Sequence, residues 1–170
     1  MRIILNLLYV VAAWKWSKWR NWREYYPTFL FMLAVDYATT VLMYNHTLWY
    51  FCPTFLLPNH TITDFWISLT VYPATILLFL SRYPKGNLSK QVGWIIFWVV
   101  VLTTHEAITY SSGKTTYDHG WSLGWSAAFN VAMLSILRVH YINPGLAWAM
   151  SGVVAAFILS YFGFSLQELK

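Results

Sequence analysis

VGWIIFWVVVLTTHEAITYS, residues 92–111, runs for twenty residues with one formally charged side chain, Glu106. A hydrocarbon core about 30 Å thick is crossed by about 20 predominantly apolar residues of α-helix. Inside lipid a helix is favoured because it satisfies its own backbone polar groups. A soluble surface helix would set an apolar stripe against a charged face. Here Trp94, Ile95, Ile96 and Phe97, set 100° apart in turn, cover all sides. The stretch is therefore expected to span a membrane.

Working outward, five further segments meet or approach the same length: residues 2–18, 28–45, 63–81, 121–141 and 146–164. Turn chemistry separates them, at Tyr26-Pro27, Leu57-Pro58-Asn59, Pro84-Lys85-Gly86-Asn87, Ser112-Gly113 and Asn143-Pro144-Gly145. The expected fold is all-α, a polytopic transmembrane helical bundle forming one integral membrane domain over residues 1–170. Six spans are preferred, and five result if the first, whose apolar run is shortest, lies in the interface. The run after Arg2 resembles a signal peptide, but Trp14-Lys15-Trp16 follows it, which favours a retained helix. Composition agrees with this fold. Of 170 residues, 58% are apolar and only 10% charged, where a soluble domain carries about 25% charge. A soluble globule and a disordered chain are both excluded. The single cysteine, Cys52, excludes an internal disulfide and any cysteine-cluster metal site.

Charge distribution orients the bundle. With six spans, alternate loops place Lys15, Lys18, Arg20, Arg23, Arg82, Lys85, Lys90 and Arg138 on one side, and Arg2, Lys114 and Lys170 on the other. By the positive-inside rule both termini are expected outside and the basic loops in the cytoplasm. The net charge of +5 is thus a topology signal that can touch anionic lipid. The lipid bilayer is the expected partner, and no nucleic acid is. Trp19, Trp22, Trp49, Trp66, Trp121 and Trp125 fit interfacial belts.

Ionisable groups within apolar spans are costly unless they face protein or a water-filled cavity, so they mark candidate sites. Asp36 lies near the middle of the second span, His105 and Glu106 in the outward half of the fourth, and Asn130 near the middle of the fifth. Thr103, Glu106 and Tyr110 share one helical face, with His105 turned about 100° away. Glu106 and Asp36 are read either as structural hydrogen-bonded acids or as a proton or cation site. Toward the outer face lie His60 and Asp64, at i and i+4, and His119. His60, Glu106 and His119 form a candidate set for zinc or another divalent metal, although their spacing matches no established motif. The commoner reading is a pH-sensitive polar rim. Pro73 interrupts the third span and is expected to kink it.

Several short runs occur in order: Trp19 to Thr28 with its Tyr25-Tyr26-Pro27, Leu57-Pro58-Asn59-His60-Thr61, Tyr72-Pro73-Ala74-Thr75, Tyr83-Pro84-Lys85-Gly86, His119-Gly120-Trp121 and Leu137-Arg138-Val139-His140-Tyr141. Together they resemble an uncharacterised family of small multi-spanning membrane proteins of spore-forming Bacillus- and Clostridium-type bacteria. The resemblance implies a bacterial plasma membrane and a multi-helix fold; it supplies no reaction and no catalytic residue. The leading expectation is a non-enzymatic membrane protein with an outward-facing polar pocket for a proton, cation or small ligand. It would be built from Glu106, Asp36, His60, His119, Asp64, His105 and Asn130. The alternatives are a membrane-embedded, metal-dependent enzyme acting on a lipid-like substrate, and an accessory subunit of a larger membrane complex. A homo-oligomer could complete a pathway that one bundle lacks.

Overall fold

The computed structural model describes residues 2–164. The helices are α1 (Arg2–Trp16), α2 (Trp22–Leu42), α3 (His60–Ser81), α4 (Leu88–Ser111), α5 (Leu123–Ile142) and α6 (Pro144–Tyr161). A 3-10 turn, Trp19–Asn21, precedes α2, and two short strands, β1 (Trp49–Phe51) and β2 (Thr115–Tyr117), lie in the α2–α3 and α4–α5 connections. Each of the six apolar segments thus meets a helix.

Three of these helices, α3, α4 and α6, are long and apolar enough to cross a membrane. The other three fall short for different reasons. At 15 residues, α1 is apolar but about 22 Å long by the helical rise, less than the hydrocarbon thickness. In α2, Arg23, Glu24 and Asp36 dilute the apolar content; in α5, Ser126, Asn130, Arg138 and His140 do the same.

Local chemistry sets the ends. Asn59, Asn87 and Asn143 each accept from the backbone N–H three residues on, at 2.8, 3.0 and 3.2 Å. Each satisfies one of the unpaired donors of a first helical turn, which is what an N-cap does. Pro144 follows at the first helical position of α6, where its missing N–H costs nothing. The Tyr26-Pro27 break is corrected: α2 begins six residues before the expected span start, at Trp22, and carries Pro27 inside it. Pro27 removes one ladder bond near the helix start, where the freed carbonyl lies close to the chain's polar end. Pro73 likewise sits inside α3, which stays continuous from His60 to Ser81.

The core forms where α1 and α2 pack on α3, and α4 and α6 on α5, with α2 also meeting α5. Phe79, Ile76, Leu134, Leu137 and Ala147 are its most buried members. Phe79 meets Trp98 and Tyr83 edge-on, at 6.5 and 5.4 Å between ring centroids. Its carbonyl accepts from Trp94 Nε1 at 3.0 Å, tying α4 to α3.

The two ends differ in character. At one, Arg82 Nε donates to the Trp16 carbonyl, the Tyr141 hydroxyl donates to Glu24, and the Arg138 guanidinium lies 4.4 Å from the Tyr83 ring centroid. This end gathers the C-termini of α1, α3 and α5, and with them Lys15, Lys18, Arg82 and Arg138. At the other end β1 and β2 pair antiparallel, Trp49 opposite Tyr117 and Phe51 opposite Thr115. Beyond the strands, Cys52 N–H donates to the Lys114 carbonyl and Asp118 N–H to the Leu48 carbonyl, both at 2.9 Å. Lys170, counted with the sparse side of the charge distribution, lies outside the described residues.

Candidate functional site

All six helices and both strands enclose a cavity of about 260 Å³. Its walls are mostly aliphatic and aromatic, and Trp49, Phe51 and Thr115 bring the small sheet into its lining. The polar groups on it include Asn6, Asp36, Tyr72, His105, Glu106 and Asn130. Among the described residues no lysine or arginine lines it. A mostly apolar hollow with a few converging polar groups is the usual form of a small-molecule site.

Glu106 is held by groups from beyond its own helix. Its Oε1 accepts from Ser126 Oγ of α5 at 2.6 Å and from the Tyr117 hydroxyl of β2 at 2.8 Å. Ser126 in turn accepts from Trp121 Nε1 at 2.8 Å. Burial, and after it the hydrogen bond to Glu106, raise the Tyr117 phenol above its ordinary value. Tyr117 therefore remains a donor to the carboxyl across the neutral range. The other members of the expected α4 stripe are engaged elsewhere. Thr103 Oγ1 accepts from Asn130 Nδ2 at 3.3 Å, and Tyr110 stacks on Tyr117 with ring centroids 4.6 Å apart.

Asp36 and Asp64 make a second acidic centre between α2 and α3. Asp36 accepts from the Tyr72 hydroxyl at 2.8 Å and from Ser68 Oγ at 3.1 Å; Asp64 accepts from Thr40 Oγ1 at 3.3 Å. Ser68 and Thr40 also donate to the Asp64 and Asp36 backbone carbonyls, at 2.8 and 3.0 Å. The two acids thus share a double bracket of hydroxyls. This corrects the expected pairing of Asp64 with His60. Although α3 has begun at His60, Asp64 is buried and its carboxyl meets α2. His60 serves β1 instead: its Nδ1 accepts from the Phe51 N–H at 3.0 Å, and its ring stacks on Tyr50 and Phe51 at 5.1 Å.

The remaining imidazoles scatter in the same way. His119, in a left-handed conformation at φ 49°, stacks on His46 with ring centroids 3.6 Å apart. His105 meets Tyr9 of α1 in a tilted ring contact, with centroids 5.3 Å apart. The proposed metal set is therefore not assembled, because His60, Glu106 and His119 belong to three separate groups of contacts. Among the described residues no three or more His, Cys, Asp or Glu side chains converge to hold a metal ion.

Of the anticipated residues, Asp36, His105, Glu106 and Asn130 line the cavity, whereas His60, Asp64 and His119 do not. Sequence reasoning missed Asn6 and Thr75 on the wall, and Tyr117 and Ser126 as the partners of Glu106. A signal existed for Asn6, the one amide within the apolar run of the first helix. No local signal existed for the others, since serine, threonine and tyrosine are common in membrane helices and loops.

Comparison with protein-family models, with characterised proteins and with solved structures finds no match for this chain.

Proposed function

We propose that this chain is a multi-pass integral membrane protein of a bacterial plasma membrane, a six-span bundle with both termini outside. Its cavity is a non-enzymatic binding site for a proton, cation or small ligand, opening toward the sheet end, with Glu106 as the central acid. The observation that carries this reading is that Glu106 and Asp36 line one cavity while no described lysine or arginine does. The clustering of Lys15, Lys18, Arg82 and Arg138 at one end supports the orientation.

Orientation is tested by single-cysteine labelling in a Cys52→Ser background. A membrane-impermeant maleimide applied to intact cells is expected to label Thr116→Cys, which is exposed on β2. Lys85→Cys, exposed at the basic end, is expected to react only after permeabilisation. Labelling in the reverse order sinks the assigned orientation.

The binding role is tested through the thermal midpoint of the purified full chain, followed by tryptophan fluorescence during titration with sodium, potassium and phenethylammonium chlorides. At about a hundred times the dissociation constant a bound cation adds about 2.7 kcal/mol, which corresponds to roughly 5–10 °C for a chain of this size. Glu106→Gln keeps an acceptor for Tyr117 and Ser126. It is expected to abolish the cation-dependent shift while retaining helical content. If Glu106→Gln merely lowers the midpoint and leaves every cation response intact, Glu106 is a structural acid and the reading fails.

A further inference from the structure

Asn6 is fully buried, lines the cavity, and has no hydrogen-bond partner at either Nδ2 or Oδ1. Thr75 Oγ1, on the same wall and 5% exposed, is also unpartnered. Their depth follows from the packing of α1 on α3. Trp16 meets Arg82 at the basic end, and Asn6, about ten residues back along α1, reaches the same cavity wall as Tyr72 and Thr75. On that wall the Tyr72 hydroxyl donates to Asp36, and Thr75 lies nearly one turn further along α3. Tyr9, nearly one turn after Asn6, makes a tilted ring contact with His105, next in sequence to Glu106. An unpartnered buried carboxamide is unusual and costly. It calls for an occupant that both donates and accepts.

We infer that the cavity takes a compact organic ammonium, an amine with an apolar body and a second, hydroxyl-like group. The inference rests on the cavity being a binding site, as proposed above, and names the class of ligand. Charge excludes anions, because the described lining offers two carboxyls and no lysine or arginine. A bare metal ion must replace its hydration shell with converging ligands, and no such group is assembled among the described residues. A purely apolar guest leaves the carboxyls and Asn6 unmatched. An amine meets all three demands. Its ammonium pairs with Glu106 or Asp36, and its body contacts Val71, Ile76 and Phe129. Trp49 and Trp121 also line the cavity, and indole rings attract a cation. The Asn6 amide then takes the second polar group. A volume just under the usual range of about 300–1,000 Å³ for small-molecule sites limits the ligand to a compact one.

The test uses the purified full chain and four aromatic probes of similar size: tyramine, phenethylamine, 4-ethylphenol and phenylacetate. Binding is read by calorimetry. Tyramine is expected to bind at least about tenfold more tightly than 4-ethylphenol or phenylacetate, the factor set by one charge-assisted hydrogen bond. Tyramine is also expected to be preferred over phenethylamine, and Asn6→Leu is expected to erase that preference while phenethylamine still binds. Thr75→Val supplies a second variant, expected to reduce the same preference. If 4-ethylphenol binds as tightly as tyramine, or if the preference survives both substitutions, the inference is overturned. A Glu106-dependent response to sodium or potassium without any amine binding overturns the inference and leaves the cavity reading standing. Absence of every response overturns both.

Discussion

Phe79→Ala is expected to cost about 3 kcal/mol of unfolding free energy, the lower end for truncating a buried Phe. Phe79 is wholly buried on α3, edge-on to Tyr83 and Trp98 and beside the Trp94 bond that joins α4 to α3. In the bilayer proposed above the gain from leaving water is small, because lipid tails are as apolar as the core, so close packing carries the contribution. Truncation leaves a void in the core near the basic end that its neighbours fill only in part. Leu69→Ala supplies the comparison. Leu69 is on the same helix but 48% exposed, and its loss is expected to stay within about 0.5 kcal/mol. Unfolding in mixed dodecylmaltoside and dodecylsulfate micelles, followed by circular dichroism, measures both. Equal costs would show that α3 does not face inward as described.

The second large effect separates the shape of Asp36 from its charge. Asp36→Leu leaves the Tyr72 hydroxyl without its acceptor and deprives Ser68 of one of two. A stranded buried hydroxyl costs about 1–3 kcal/mol. Asp36→Asn, by contrast, keeps an oxygen for Tyr72 and removes one of two neighbouring carboxyls. It is expected to lie within about 0.5 kcal/mol of the parent, the usual scale for a change that strands no group. The same unfolding titration compares the two variants. If Asp36→Asn costs as much as Asp36→Leu, the fold depends on the negative charge itself and the hydrogen-bond account fails.

Several parts of this arrangement were legible along the chain. Asn59, Asn87 and Asn143 mark turns in the sequence, and each caps the helix that follows, because capping engages a side chain and a backbone group three residues apart. Asp36 and Glu106 stand out as acids in apolar runs, and both reach the cavity wall. Pro27 misled, because a proline near a helix start breaks little of the ladder, and sequence alone does not say how much helix precedes it. Asp64 and His60 misled for another reason. Their i, i+4 spacing states that they share a helix face, not which neighbour that face meets; α2 claims Asp64 while β1 claims His60. The metal set failed on the same ground.

By itself the sequence determined the helices, their order and the asparagines that cap three of them, and which acids stand in apolar runs, because hydropathy and capping are properties of residues a few positions apart. Only the tertiary structure decided that Tyr117 and Ser126 hold Glu106, that Asp64 faces α2, and that Asn6 reaches the cavity wall. Those meetings depend on how whole helices dock, and docking is set by side-chain shape summed over many distant contacts, which no local pattern encodes.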